Sequence, residues 1–518
     1  MMIGLQRYID APSRRAPFAL ACAPLCWWRL HHLSEPQTPH ALAFLVDPQH
    51  SSGFGVSSGT PVTDLRAAEQ FPQNGGLTTK RYEIRCPIHG FIKLEPWEWD
   101  VIQHPVFQRL RRIRQLGWTD MVYPGAMHTR FEHSLGVMHA ASEMFDAVWY
   151  RQEHVLENLG FDQDIKPRDK IILRLATLLH DVGHSPFSHA GEGVMPMNPE
   201  TNKPYKHEQY SAALIRNLMT DVIDDHAINK AGFKITAEEV AQFLEGDPEI
   251  GGPLMFWRQL ASSQLDADRA DYLLRDSYHI GVAYGHYDLR RLVVSLVVGM
   301  HYETGDHVLA INQGGWHAAE SLIIARYMMF TQVYLHKTRR IYDYHLNRVL
   351  RTLLAEAQAG TDLFIQDAYP PPTSPANLKL YLEWTDWRVQ GLLQEGRGGD
   401  HGAILRDRDH YRLLHETKDV ASEQEAEQIR KLKESLGDIP CHLDDGVTSD
   451  WYKGDEILVT TQPDDELEKK TQPLSAQSKI VDQLKEASMA QIRLYVRPMD
   501  REPAETIKEQ FFNKKGAA

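Results

Sequence analysis

Apolar residues recur at helical spacing through most of the chain beyond residue 100. Leu135, Val137, Met138 and Ala141 predict an amphipathic helix that starts near Phe131. The segment from 171 to 179 is apolar nearly all round, which predicts a central buried helix. Apolar residues also recur at helical spacing at Phe107, Leu110, Ile113 and Leu116, which indicates a helix there. Further helices are predicted at 207–219, 237–245, 254–277, 316–335 and 338–358.

Two short alternating segments precede these helices. Residues 82–85 and 91–94 flank a turn at Cys86-Pro87-Ile88-His89-Gly90 and predict a small β-hairpin. The fold class that follows is mainly α: a helical core with a short N-terminal β-hairpin and a smaller mixed α/β C-terminal region. In that last region, helices are predicted at 376–395 and 423–436 and strands near 455–460 and 491–497.

Composition divides the chain into three parts. Residues 1–79 contain no lysine and are rich in Pro, Ser, Gly and Ala, which is typical of a poorly ordered extension. They are also compatible with a start codon assigned too far upstream. The helical core is predicted at 80–360. The sequence pattern changes after about residue 360, and the run Pro370-Pro371-Pro372 then breaks the chain. Residues 361–518 are expected to form the mixed α/β region.

Bulk properties exclude several classes of protein. A net charge of -14 in 518 residues disfavours a general duplex-binding protein, which needs a basic surface for phosphates. Four cysteines are too few for a disulfide scaffold and favour free thiols in a reducing cytoplasm. No apolar run reaches the length of about 18 residues that a membrane span requires, so no membrane partner is expected.

The chain contains 26 histidines, and several of them cluster with carboxylates. His180 and Asp181 end the predicted buried helix, where burial of two ionisable groups is costly unless they are paired or bind a metal. Imidazole with carboxylate suits a divalent first-row metal better than calcium. His133 and Asp268, each beside or within a predicted helix, are candidates for two further ligands. A His-Asp pair alone is common by chance, and a packed or solvated histidine is the usual alternative.

Four segments together resemble the HD-domain deoxynucleoside triphosphate (dNTP) triphosphohydrolases, which include animal sterile-alpha-motif HD enzymes and bacterial dGTPase-like proteins. They are Phe107–Gly117, Tyr123–Val137, His180–His189 and Asp268–Tyr272. The resemblance extends from about Tyr82 to Arg348. It implies that 80–360 is an HD phosphohydrolase catalytic core in which His133, His180, Asp181 and Asp268 hold a divalent metal (Mn, Fe, Mg or Zn).

The resemblance also implies an acid–base group and a substrate pocket. The acid–base group would comprise His184, His189, His207 and Glu208, with Glu192 orienting His189, the expected proton donor. Arg130, Arg269, Arg326 and Lys337 would bind the polyphosphate, together with a second Mg²⁺ carried by the substrate. Gln115 and Asp276 would hold the 3′-hydroxyl, and Leu116, Tyr272 and Tyr334 would leave no room for a 2′-hydroxyl.

The implied reaction is metal-dependent hydrolysis of dNTPs to deoxynucleoside and inorganic triphosphate by a dimer-based homo-oligomer. A regulatory nucleotide is compatible with it. However, Cys86 and Gln103 replace residues of the animal enzymes' regulatory site, and Phe330 and Leu335 replace polar residues near the base. Two alternatives stay open: another HD-domain nucleotidase or phosphodiesterase, and a catalytically silent nucleotide sensor. Control of the dNTP pool and defence against phage are both compatible with this chemistry.

Overall fold

A β-hairpin opens the described part of the chain, which comprises residues 82–358, 367–445, 452, 456–462, 470–485 and 491–516 of a computed structural model. Strands β1 (Tyr82–Cys86) and β2 (Gly90–Leu94) pair antiparallel, as the alternating pattern predicts. Gly90 makes the turn possible because its φ of 77° lies in the left-handed region. The predicted extension 1–79 lies outside the described residues.

Helices dominate the remainder, which confirms the mainly α class. Up to residue 358 the elements are α1 (Pro96–Gln103), α2 (Pro105–Gln108), α3 (Arg130–Asn158), α4 (Lys166–Leu179), β3 (Met197–Asn198), β4 (Lys203–Pro204), α5 (His207–Leu218), α6 (Thr220–Ile223), α7 (Ala227–Ala231), α8 (Ala237–Glu245), α9 (Gly252–Trp257), α10 (Ala267–Ile280), α11 (Leu289–Val293), β5 (Leu296–Met300), β6 (His307–Asn312), α12 (Trp316–Met329) and α13 (Lys337–Gln358). After residue 366 they are α14 (Pro375–Leu382), α15 (Asp386–Gln394), α16 (Gly399–Asp407), β7 (Arg412–Glu416), α17 (Glu423–Ser435), β8 (Cys441–Asp444), β9 (Leu458–Thr460), β10 (Gln472–Pro473), α18 (Leu474–Gln477), α19 (Lys479–Lys485), β11 (Arg493–Val496) and α20 (Arg501–Gly516).

Helix α3 packs against both α4 and α10 in the core. A capping box between Thr129 and Glu132 fixes the start of α3. Helix α4 is buried along nearly its whole length, as its apolar sequence predicts. Because the first turns of α3 and α10 and the end of α4 meet, these three helices position the candidate metal ligands.

Some helix predictions were wrong in extent. The region 107–116 contains only the short α2 and a 3-10 turn at Arg109–Arg112, not a continuous helix. The predicted helix 254–277 is interrupted, since the Asp266 side chain accepts a hydrogen bond from the Arg269 backbone and thereby starts α10 anew. The predicted helix 376–395 likewise divides into α14 and α15 at Thr385, which caps the second of them.

The C-terminal third contributes to two sheets. Strands β7, β11 and β8 form an antiparallel sheet that packs with α17 and α20 around a small apolar core of its own. Strand β9 instead pairs in parallel with β6, in a four-stranded sheet ordered β10-β9-β6-β5. Among the described residues, no helix has the length and apolar character needed to cross a membrane.

Candidate metal centre and active site

Four predicted metal ligands converge where α3, α4 and α10 meet. His133, His180 and Asp268 each offer a ligand atom, and these atoms lie within 4.8 Å of one another. His133 Nε2 is 3.0 Å from Asp268 Oδ1 and 3.5 Å from Asp181 Oδ2. Asp181 Oδ1 is 3.3 Å from His180 Nε2. The side chains therefore form one compact group of two imidazoles and two carboxylates.

This group has the properties that a divalent cation needs. The Nε2 atoms of His133 and His180 are buried, and within the described chain neither has a hydrogen-bond partner. Burial alone would lower the pKa of His133, but the nearby carboxylates of Asp268 and Asp271 outweigh that effect and raise it to about 10. The surroundings thus favour positive charge at a point where two nitrogen lone pairs are available.

The other ring nitrogens of both histidines are held by the protein. His180 Nδ1 lies 2.7 Å from the Thr177 carbonyl oxygen, and His133 Nδ1 lies 2.8 Å from Asp271 Oδ2. Such contacts fix the tautomer that leaves Nε2 free to bind a metal. Asp271 is itself paired with Arg275 through both oxygens, at 2.7 and 2.8 Å.

Asp271 approaches α3 closely because residue 136 is glycine. A Cβ atom at Gly136 would lie 1.9 Å from Asp271 Oδ1. His89, on the hairpin turn, also contacts that oxygen at 2.7 Å. The hairpin therefore supports the ligand sphere, and Cys86 extends this support because its Sγ lies 3.3 Å from Arg275 Nη2.

Arg130 connects the metal group to the following loop. Its Nη1 donates to Asp181 Oδ2 at 2.6 Å, and its Nε donates to Ser188 Oγ at 2.9 Å. Phe187 and Ser188 both adopt left-handed backbone conformations, with φ of 60° and 58°. Two consecutive residues of this kind are unusual outside functional sites. They turn the chain so that the Ser188 hydroxyl contacts Arg130 and the next residue, His189, lies in the second histidine group.

The predicted acid–base residues form a second group beside the first. His184, His189, Glu192 and His207 each place a ligand-type atom within 4.8 Å of the others. The rings of His184 and His207 stack at 3.8 Å. Burial acts to raise the pKa of Glu192, but His189 and His207 hold it well below its usual range. Glu208 is mostly exposed and lies 3.6 Å from His207 Nδ1.

The predicted sugar-binding residues also come together. Tyr334 donates its hydroxyl hydrogen bond to Asp276 Oδ2 at 2.7 Å, and His128 Nε2 lies 2.8 Å from the other oxygen. The rings of Tyr272 and Tyr334 meet edge to face at 6.2 Å. Gln115 and Leu116 are buried, and Gln115 Oε1 has no hydrogen-bond partner among the described residues.

The predicted phosphate-binding cations differ in solvent exposure and in their present partners. Arg326 is 7% exposed and donates to Gln264 Oε1 at 2.8 Å, while Arg269 is paired with Asp266. Both guanidinium groups lie near Asp268, whose negative charge acts to raise the pKa of each. Lys337 is exposed at the start of α13, and its carbonyl oxygen accepts a hydrogen bond from Tyr495.

Residues far along the chain hold the backbone between the two groups. The Tyr381 hydroxyl donates to the Gly183 carbonyl oxygen at 2.7 Å, and Asp386 Oδ1 accepts from the Phe187 amide at 2.7 Å. Arg109, fully buried, donates to the His184 carbonyl oxygen at 2.8 Å. These residues are not among those predicted from the sequence, and neither are Asp271, His89, His128 and Ser188. Asp271 had a local signal, since it lies one turn after Asp268 in a segment that the resemblance includes.

Comparison with known families agrees with this geometry. The HD domain family matches residues 130–276, which include all four candidate metal ligands. A family described as an HD associated region matches residues 287–367. The match to the HD domain supports the assignment of the first group as a divalent metal site.

Individual relatives extend the similarity. The uncharacterized protein YwfO of Bacillus subtilis is 33% identical over 285 residues, which cover 54% of this chain and 57% of that protein. Human deoxynucleoside triphosphate triphosphohydrolase SAMHD1 is 29% identical over 449 residues, which cover 79% of this chain and 66% of that protein. A phosphohydrolase crystal structure from Bacteroides thetaiotaomicron superposes with a TM-score of 0.59 at 26% identity and covers 80% of this chain and 100% of that one.

The aligned region is only part of several relatives. The chain spans about half the length of the curated relatives it matches, with 57%, 49% and 51% covered in three of them. The HD-domain match at residues 130–276 contains both groups of the site. Residues 130–276 of the chain therefore match the HD domain family, and the chain is similar to deoxynucleoside triphosphate triphosphohydrolases.

Proposed function

We propose that the protein hydrolyses deoxynucleoside triphosphates to deoxynucleosides and inorganic triphosphate. The observation that carries this proposal is the hydrogen bond from Tyr334 to Asp276, which lies on the same helix as the candidate metal ligand Asp268. It holds an aromatic ring against the carboxylate expected to bind a 3′-hydroxyl. A phosphomonoesterase or phosphodiesterase of the same fold does not need an aromatic ring at this position.

His133, His180, Asp181 and Asp268 would hold the divalent ion. When bound, such an ion supplies an activated water and Lewis acidity toward the phosphate at neutral pH. The donor set is compatible with Mn, Fe, Mg or Zn. Arg130 keeps Asp181 ionised: burial acts to raise the pKa of that carboxyl, but the guanidinium and the neighbouring imidazoles hold it well below its usual range.

The triphosphate would extend from the metal group toward the cations. Arg130 would bind the α-phosphate, and its contact with the candidate metal ligand Asp181 at 2.6 Å supports this role. Arg269 and Arg326 would bind the outer phosphates after releasing Asp266 and Gln264, their present partners. Lys337 would need to reach inward from its exposed position, and a second Mg²⁺ carried by the phosphates would share their charge.

Hydrolysis would proceed by attack of water on the α-phosphorus. A new bond forms between the water oxygen and phosphorus, and the bond from phosphorus to the 5′-oxygen breaks. His189 would give its proton to the departing 5′-oxygen, which leaves as the hydroxyl of the deoxynucleoside. Glu192 Oε1 lies 3.2 Å from His189 Nδ1 and would orient that imidazole. His184, His207 and Glu208 complete the proton-transfer group and would accept the proton that the attacking water loses.

The sugar would lie against Tyr334, Tyr272 and Leu116, with its 3′-hydroxyl between Gln115 and Asp276. The unpartnered Oε1 atom of Gln115 supports this placement, because within the described chain that buried acceptor lacks a donor. A 2′-hydroxyl would collide with the Tyr334 ring. A regulatory nucleotide and a dimer-based assembly remain predictions.

Product analysis tests the proposal directly. The protein is incubated with each of the four dNTPs, GTP and ATP under Mg²⁺ or Mn²⁺, alone and in pairwise mixtures, since one nucleotide could activate hydrolysis of another. We expect inorganic triphosphate and deoxynucleoside, and no turnover by Asp181→Ala. The exposed carboxylate variant Asp225→Asn serves as the control. Monophosphate with pyrophosphate, or activity on ribonucleotides alone, would favour another HD hydrolase and contradict the proposal. No turnover in any mixture would favour a sensor.

A further inference from the structure

One buried histidine contacts both residues that are expected to bind the 3′-hydroxyl. His128 Nε2 lies 2.8 Å from Asp276 Oδ1, and the His128 carbonyl oxygen accepts a hydrogen bond from the Gln115 amide at 3.0 Å. The side chains of His128 and Asp276 are 0% and 2% exposed, so water does not compete for their contact. A single residue therefore holds Asp276 through its ring and Gln115 through its backbone.

The Asp276 carboxylate is held at both of its oxygens. A carboxylate oxygen accepts hydrogen bonds, so His128 Nε2 carries the proton and donates to Oδ1. The Tyr334 hydroxyl donates to Oδ2 at 2.7 Å. Burial and the negative charge of Asp276 raise the pKa of Tyr334 well above its usual value, so this hydroxyl keeps its proton. The two donors fix the plane of the carboxylate, and each oxygen retains a second lone pair for a further donor.

The position of the His128 ring is determined by backbone pairing and by stacking. Arg114 and Thr129 form an antiparallel β-bridge beside it. The ring stacks on that of His279, with centroids 4.5 Å apart and planes 12° apart. Within the described chain, His128 Nδ1 has no hydrogen-bond partner. The imidazole is thus placed by its surroundings and directs its one polar ring contact at Asp276.

We propose that His128 is a positioning residue that orients Asp276 for recognition of the sugar 3′-hydroxyl. This role rests on the proposed function and deepens it. The remaining lone pairs of Asp276 and the unpartnered Gln115 Oε1 all accept hydrogen bonds, so they select a 3′-hydroxyl that donates. A sugar with only hydrogen at C3′ has no such donor and leaves buried acceptors unpaired, which is costly.

Loss of the His128 ring contact should affect sugar binding more than the chemical step. Tyr334 would then be the one side-chain donor left on Asp276 within the described chain, and the carboxylate could rotate about that bond. Arg130, two residues after His128, would keep its own contact with Asp181 at 2.6 Å. Because the 3′-hydroxyl does not lie at the reacting phosphorus, the loss should appear chiefly in KM and only for substrates that carry this hydroxyl.

A matched pair of amide substitutions tests this role. Glutamine places its amide nitrogen near the position of imidazole Nε2, whereas asparagine places it near that of the unpartnered Nδ1. The substrates are the dNTP that the wild type hydrolyses best and its 2′,3′-dideoxy analogue, in the same nucleotide mixture. The ratio of their kcat/KM values should fall about tenfold or more in His128→Asn, through KM, and much less in His128→Gln. His279→Phe, which keeps a ring against His128, should leave the ratio unchanged.

Three results would overturn the positioning role: an equal loss with both substrates in His128→Asn, an equal change of the ratio in both amide variants, or a wild type that does not prefer the 3′-hydroxyl. Thermal unfolding shows whether each variant folds, and His128→Leu replaces His128→Asn if the latter does not. A wild type that hydrolyses no dNTP would contradict the proposed function instead. Titration calorimetry with each dNTP and its dideoxy analogue then decides: affinity lost in His128→Asn only for the dNTP supports the role, and equal affinities overturn it.

Discussion

The Tyr381 hydroxyl donates a hydrogen bond to the carbonyl oxygen of Gly183, which directly precedes His184 and lies two residues after Asp181. Helix α14, which carries Tyr381, lies outside both matched family regions. The segment after residue 366 is therefore not an independent addition, because it holds the backbone that separates the two histidine groups.

Replacing Tyr381 by Phe should show how much this contact contributes. The ring and its packing remain, but the buried Gly183 carbonyl loses its donor, so the free energy of unfolding should fall by about 1–3 kcal/mol. Urea denaturation measures this change. Tyr150→Phe is the matched control because Tyr150 is 78% exposed. An equal effect of both substitutions would contradict the role of the hydrogen bond.

Tyr334→Ala should relax the discrimination between deoxyribose and ribose. Removal of the ring opens space for a 2′-hydroxyl, and the ratio of kcat/KM for ribonucleotides to that for deoxynucleotides should rise about tenfold or more. Product formation from paired substrates such as dGTP and GTP gives this ratio. Tyr278→Ala, an exposed tyrosine on the same helix as Asp276, should leave it unchanged. An unaltered ratio in Tyr334→Ala would show that another group excludes the 2′-hydroxyl.

Asp271→Asn should weaken metal binding without removing a ligand. Asp271 holds His133 Nδ1 at 2.8 Å, and loss of such an outer partner typically lowers metal affinity about 10- to 100-fold. Titration calorimetry with Mn²⁺ measures the affinity. Thermal unfolding of the metal-free variant should be recorded as well, since Arg275 loses its partner. Asp225→Asn is the control, and retention of full affinity in a folded Asp271→Asn would contradict the assignment.

Stability should fall in mild acid because of a buried histidine cluster at the junction of α13 with α16 and the C-terminal sheet. Burial, with smaller effects from His401, His410 and His442, lowers the pKa of His345 from 6.5 to about 3. The unfolded chain therefore binds a proton first as the pH falls. The contribution to stability is complete above pH 6.5 and is lost as the pH drops toward 3.

The slope from His345 alone is at most about 1.4 kcal/mol per pH unit. Urea denaturation at a series of pH values below neutrality measures it. His345→Gln should flatten the dependence, while His317→Gln, at a 71% exposed side chain, should not. Identical curves for the wild type and His345→Gln would show that other groups control acid unfolding.

The elements that carry the metal group could be predicted from the sequence because their signals are local. A nearly all-apolar run ending in His180-Asp181 identified α4, and periodic apolar residues after Thr129 identified α3. By contrast, the break before α10 depends on one side-chain cap at Asp266, which competes with a continuing helical pattern. Periodicity alone does not decide that competition.

The supporting residues could not be predicted because their partners are distant in the sequence. Asp386 meets Phe187 across 199 positions, and Arg109 meets His184 across 75. Nothing in the sequence around Asp386 distinguishes it from a solvated carboxylate. Likewise, the left-handed conformation of Phe187 and Ser188 is imposed by these tertiary contacts, since neither residue favours it.

The parallel pairing of β6 with β9 has a consequence for folding during synthesis. Ile311 lies beside Val459, so the sheet next to α12 cannot be completed until nearly the whole chain has left the ribosome. Until then one edge of β6 stays available to other chains, and such unpaired edges promote aggregation. Translation speed and chaperone supply should therefore affect the yield of active protein more strongly than the stability of the finished fold would indicate.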